Sequence, residues 1–253
     1  MNPTRIAVVT GVSRGFGRSM AAHLVASGVK VIGTFNSGGV RARELAEQIT
    51  LTGAQDSLAL LSLDVTQTDR YDDFANEVSR QLERWGADRF DYLVNNAGIG
   101  VFAPYAQTSQ DQFDEVIAVN LKAPFFLTQR LLPLLNDGGR ILNVSTALTR
   151  AVVPSGSAYA ASKGAVEVLT RYLAVELADR GIRVNTIVGG ATDGDFGGGI
   201  MRSEAVQKQA TEVIALGRIG TPDDLGAAVP SILSDAFGWV TGACIDVNGG
   251  QSL

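Results

Sequence analysis

Apolar residues along the chain follow two alternating patterns. Short β-branched runs at residues 5–10, 30–35, 58–63, 92–95, 140–145, 183–188 and 244–247 predict strands. Between them, residues 17–27, 41–50, 71–85, 110–135, 157–180 and 203–216 carry apolar positions three and four apart, as at Leu45/Ile49 and Phe74/Val78/Leu82, and predict helices. Such alternation calls for right-handed crossovers, which build a parallel sheet covered by helices on both faces. The segment 189–199 breaks the rhythm: Gly189, Gly190, Gly194 and Gly197 to Gly199 leave it no packing face. It follows a strand, where ligands bind in sheets of this kind, so a lid (residues 189–216) is expected there. No Pro/Ser-rich linker divides the chain, and one domain over residues 1–253 is expected.

Composition narrows the function classes. With 253 residues, 45% hydrophobic and 19% charged, the chain can form a sizeable core. The net charge of −5 comes from interspersed acids and bases without a basic block, so no nucleic-acid partner is expected. A single cysteine, Cys244, precludes an internal disulfide and favours a reducing compartment, hence a cytoplasmic location. No run approaches the roughly 20 apolar residues of a membrane span, and no membrane or metal partner is expected.

Directly after the first predicted strand runs Thr10-Gly11-Val12-Ser13-Arg14-Gly15-Phe16-Gly17. Gly11 allows a tight turn, Gly15 a close backbone approach to a pyrophosphate, and Gly17 tight helix–sheet packing. Backbone N–H groups at the helix start, including those of Ser13 and Phe16, favour anionic phosphates. Gly11 to Gly15 also reads as G-x-S-x-G, the elbow of serine hydrolases. That chemistry needs a histidine after an acid downstream, and the one histidine, His23, lies a helix turn or so past the loop. A triphosphate-binding loop would end in Gly-Lys-Ser/Thr, which Phe16-Gly17-Arg18 does not supply. A dinucleotide site is expected instead. The acid that commonly binds a ribose 2′-hydroxyl about 20 residues on is missing; Asn36 and Ser37 stand there, and Arg14 can pair with a 2′-phosphate. NADP(H) is expected over NAD(H).

Tyr159 and Lys163 are four residues apart on a predicted helix and share a face. A neighbouring ammonium favours the phenolate, so Lys163 is expected to lower the pKa of Tyr159. Ser145, ending the fifth predicted strand, is expected to orient a substrate oxygen beside the phenol. Tyr159 would then deliver a proton to a carbonyl oxygen as hydride reaches the carbon, or the reverse, on a small carbonyl or alcohol substrate. A dinucleotide-binding sensor without redox chemistry, or an epimerase using its cofactor transiently, is the alternative.

The combination resembles the short-chain dehydrogenase/reductase family, particularly members similar to 3-oxoacyl-carrier-protein reductases, over nearly the whole chain. The glycine loop, Asn95-Asn96-Ala97-Gly98, Tyr159 with Lys163, and the segments from Gly217 to Asp224 and from Thr241 to Gly250 carry it. The resemblance implies a single Rossmann-type, doubly wound α/β domain with a seven-stranded parallel sheet in the order 3-2-1-4-5-6-7. It implies Asn120 in a catalytic proton relay, Asp64 and Val65 at the adenine, and Asn96, Ala97, Gly98, Gly190 and Thr192 as further cofactor contacts beside Tyr159 and Lys163. It also implies a homo-oligomer, a tetramer or dimer, for which the apolar residues 121–135 could supply an interface. Gly189 and Gly194 depart from the family's usual proline and threonine, and weaker ordering of the nicotinamide, or dependence on substrate to close the loop, is expected from them.

Overall fold

The structure is a computed structural model and describes residues 4–253. Seven strands form one parallel sheet: β1 (Ile6–Val9), β2 (Lys30–Phe35), β3 (Leu58–Ser62), β4 (Phe90–Asn95), β5 (Leu135–Thr146), β6 (Arg183–Gly189) and β7 (Cys244–Val247). Their order is β3-β2-β1-β4-β5-β6-β7, as the resemblance implied. The connecting helices are α1 (Gly15–Ala26), α2 (Gly39–Leu51), α3 (Tyr71–Arg84), α4 (Gln110–Ile117), α5 (Ala123–Leu131), α6 (Ser157–Glu176) and α7 (Glu204–Glu212), followed by the short α8 (Pro222–Gly226) and α9 (Val229–Ile232).

Strand alternation sorts the core into two layers. Ile6 and Val8 of β1 face Phe74, Val78, Leu82, Leu127 and Leu131, from α3 and α5. Ala7 and Val9 face the other way, against Met20, Leu24, Leu45, Ile49 and Leu225 from α1, α2 and α8. Successive side chains of a strand point to opposite faces, so a strand buried on both sides is apolar throughout. The order reverses beside β1: β2 and β4 are its two neighbours, so β1 and β4 flank the crevice where a ligand belongs.

The expected helix 110–135 is interrupted. Ala118–Lys122 winds as a π-helix, and Leu132–Leu134 tightens to a 3₁₀ turn before β5 begins at Leu135. Two prolines explain the breaks. Pro124 has no N–H to donate to the Asn120 carbonyl four residues earlier, and Pro133 cannot continue α5. β5 therefore starts before the predicted 140, and its pairing with β4 shifts register between Phe90 and Tyr92.

Candidate active site

The glycine loop binds itself to the end of β4. The Thr10 hydroxyl accepts from the backbone N–H groups of Asn96 and Ala97 at 3.0 and 2.9 Å, and the Asn96 amide donates to the Thr10 and Gly11 carbonyls at 2.8 and 3.2 Å. A Cβ on Gly17 would lie 2.2 Å from the Gly11 carbonyl oxygen, so this turn admits only glycine at 17. Gly11 and Gly15 adopt φ of 74° and 55°, conformations that side chains disfavour. Among the described residues, no side chain caps the first turn of α1 and no acid lies in it. Its N–H groups, with Ser13, Arg14 and Gly15 beside them, are a fitting cradle for a dinucleotide pyrophosphate.

Thr66 donates to the Asp64 carboxylate after β3 through its N–H at 2.9 Å and its hydroxyl at 2.7 Å, and with Asn36 beside β2's end it holds Asp64 below the usual carboxylate range. Arg14, Asn36 and Ser37 are exposed, and Val65 is buried. The residues at the ends of β2 and β3 thus suit an adenosine end.

Across the crevice, Gly98 joins this loop to the chemistry. A Cβ there would fall 3.3 Å from Asn120 Oδ1 and 3.4 Å from Lys163 Nζ. Asn120 is fixed in turn: its Oδ1 accepts from the Ile99 N–H at 2.9 Å, and its Nδ2 donates to the Ile99 carbonyl at 2.9 Å and to the Ser162 hydroxyl at 3.1 Å. Lys163 donates to the Val144 carbonyl at 2.9 Å. Ser162, whose own hydroxyl donates to the Tyr159 carbonyl at 2.7 Å, was not foreseen from sequence.

Two expectations are corrected here. Ser145 does not face Tyr159; its hydroxyl donates to Glu167 at 2.7 Å. The next residue, Thr146, is the one whose side chain acts on the Tyr159 phenol, favouring its ionised form. Asn143 and Ser145, two apart on β5, both reach helix α6, where Asn143 meets Thr170. Nor is the phenol's pKa lowered in this structure. Burial pushes Tyr159 up to about 12, with Thr146 opposing, while burial brings Lys163 down to about 8. The ammonium is directed at a backbone carbonyl, and desolvation dominates at both groups.

The segment expected to be a lid packs on the phenol ring through Phe196. Phe196 and Phe102 place ring centroids 5.4 and 5.9 Å from that of Tyr159. Glycines make room for them: a Cβ on Gly100 would lie 2.6 Å from Phe196, and one on Gly197 would lie 2.5 Å from Phe102. Asp195, beside Phe196, pairs with Arg202 within the lid and with Arg41 of α2 at 3.4 Å. At the lid's base the Ala191 N–H donates to Gln251 at 2.7 Å, the Gly220 N–H donates to the Ala191 carbonyl at 2.9 Å, and Thr192 Oγ1 donates to the Gly190 carbonyl at 3.0 Å. Gly189 takes the place of the family's usual proline for a visible reason. A Cβ there would fall 2.9 Å from the Phe16 ring and 3.0 Å from Leu225. Gly194 has φ of 145°, which threonine would rarely adopt.

Residues 11–252 match the family model described as enoyl-(acyl carrier protein) reductase. An uncharacterized oxidoreductase of Methylorubrum extorquens is 33% identical over 97% of this chain and 97% of its own. A hydroxynaphthalene reductase-like protein of Metarhizium brunneum is 31% identical over 98% of this chain and 94% of its own. The crystal structure of an angucycline C-6 ketoreductase with bound NADP is similar, at 35% identity and a TM-score of 0.92, covering 99% of this chain and 97% of that one.

Proposed function

Since the chain belongs to the short-chain dehydrogenase/reductase family, and is therefore an NAD(P)-dependent oxidoreductase of carbonyl and CH–OH groups, we propose that it is an NADPH-dependent ketone reductase with Tyr159 as its acid/base. The observation that carries this reading is the convergence of Tyr159, Thr146, Lys163 and Asn120 across Gly98 from an uncapped helix start. When bound, the nicotinamide supplies the hydride. The phenol, held protonated by burial, hands its proton to the developing alkoxide, and the Thr146 hydroxyl orients that oxygen. Lys163 and Asn120 hold the inner end of the proton path, and the lid keeps water from the phenol, which is 7% exposed.

The residues for the cofactor are Ser13, Arg14, Gly15 and Phe16 at the phosphates, Asn36, Ser37, Asp64 and Val65 at the adenosine, and Ala97, Gly98, Gly190 and Thr192 towards the nicotinamide. Arg14 and the missing acid after β2 favour NADP(H), as does the NADP in the similar ketoreductase. The aromatic wall of Phe102, Tyr159 and Phe196 favours a flat, apolar aromatic ketone, the class suggested by the names of the ketoreductase and hydroxynaphthalene reductase-like relatives. The chain is read as one cytoplasmic domain working as a homo-oligomer. Among the described residues, no helix is long and apolar enough to cross a membrane.

The test is NADPH oxidation across bicyclic and polycyclic aromatic ketones. Tyr159→Phe should bind NADPH with unchanged affinity by fluorescence titration while kcat falls about 10²–10⁴-fold, the range of a lost general acid. Turnover by the variant at the parent rate would remove Tyr159 from the reaction.

A further inference from the structure

Glu167 stands on α6 one turn beyond Lys163 and partly out of solvent. Its Oε1 accepts two hydroxyl protons, from Ser145 Oγ at 2.7 Å and Thr149 Oγ1 at 2.9 Å. These donors bracket Thr146: Ser145 precedes it on β5, and Thr149 ends the 3₁₀ turn Ala147–Thr149 that follows it. Thr149 Oγ1 also lies 3.0 Å from the Thr146 carbonyl, so its one proton is shared between carboxylate and carbonyl. The Thr146 hydroxyl oxygen accepts from the Leu148 N–H at 3.3 Å. With a lone pair engaged on that side, its own proton is left to point towards the Tyr159 oxygen. Arg150 in the same loop and Cys244 on β7 lie near the carboxylate, and Arg150 is itself tied to Asp246 at 2.7 Å.

We propose that Glu167 is a positioning residue for the reaction: by clasping Ser145 and Thr149 it locks the strand end and the turn, and so aims the Thr146 hydroxyl at the phenol and the substrate oxygen. The proposal rests on the reading of Tyr159 as acid/base. The chemistry suits a carboxylate, because a single oxygen must accept two hydroxyls, that of Ser145 at charge-assisted length. The amide oxygen of glutamine keeps both lone pairs, whereas leucine keeps only volume.

The experiment takes the best ketone found with the parent enzyme and measures kcat, the KM for NADPH and the pH profile. Glu167→Leu should lower kcat by about 10- to 100-fold, the scale of a misplaced catalytic group, with the KM for NADPH held within twofold. Because Thr146 favours the ionised phenol, the high-pH limb of reduction should move further up in this variant. Glu167→Gln should recover most of kcat. In a Thr146→Val background, Glu167→Leu should cost nothing more, since the hydroxyl it aims is gone. Parent-level kcat in Glu167→Leu, or losses that multiply in the double variant, would overturn the proposal. If Glu167→Leu does not fold, Ser145→Ala/Thr149→Val removes the same two bonds: a matching loss of kcat supports the proposal, and parent kcat overturns it. A parent enzyme that reduces no ketone would instead strike the reading of the whole site, and the role of Glu167 would fall with it.

Discussion

Tyr159 and Lys163 are withdrawn from water by the same packing, and burial moves each towards its neutral form. The phenol, ordinarily near 10, is pushed up to about 12, and the ammonium, ordinarily near 10.5, is brought down to about 8. Between about pH 8 and 10.5 the unfolded chain binds more protons at residue 163 than the folded one, so this group makes stability rise with pH there. Above about pH 10 the phenol acts in the opposite sense: the unfolded chain loses that proton first, and stability falls as pH rises towards 12. Lys163→Met should therefore abolish the rise between pH 8 and 10.5 and gain up to about 3 kcal/mol at neutral pH relative to the parent. Urea midpoints of the cofactor-free proteins at intervals across that window check this; parallel curves for the two proteins would contradict it. A gain of that size in Lys163→Met would support the role in chemistry proposed for this lysine.

At the scale of elements, the Phe16 turn of α1 and the end of β6 are mutually fitted. Phe16 lies partly buried against the α1 layer of the core, and the missing side chain at Gly189 makes room for it. Gly189→Ala should cost about 1 kcal/mol, the low end for overpacking, because a ring edge and a methyl group can both give way. Phe16→Ile/Gly189→Ala should regain that loss in thermal midpoint, and NADPH affinity should follow the same order. If the double variant is less stable than both single ones, the two positions do not compensate. This fitting was hidden in the sequence, since Gly189 and Phe16 are far apart along the chain and only the fold joins them. The strands were legible because their β-branched runs are bounded by turns and buried on both faces. The single helix read into 110–135 failed because an apolar period says nothing about the N–H missing at Pro124. Ser145 and Thr146 are both hydroxyls at a strand end, and only the fold decides which one meets the phenol. Glu167 gave no signal, as most helix carboxylates are simply solvated.

Over the whole molecule, the two faces of the sheet are covered, yet α6 still shows an apolar stripe to solvent. Val168, Tyr172 and Val175, spaced four and three residues apart, are 43%, 64% and 77% exposed. On α5, Phe125 and Phe126 are 44% and 41% exposed and pack edge-on with centroids 5.0 Å apart. The apolar run at 121–135 exceeds one stripe because α5 buries Leu127 and Leu131 inward while presenting these rings outward. A helix that carries Tyr159 and Lys163 on one side and an apolar stripe on another links the site's geometry to whatever covers that stripe. A second copy of the chain is the occupant the family resemblance implies. Tyr172→Glu/Val175→Glu should then shift the sedimentation coefficient to a smaller species, because paired like charges at a two-fold contact are costly to bury. The smaller species should bind NADPH, since the residues proposed for its phosphates and adenosine follow β1, β2 and β3, but reduce ketones more slowly as α6 loses its support. A parent protein that sediments as a monomer at micromolar concentration would show that α6 holds its catalytic face without a partner.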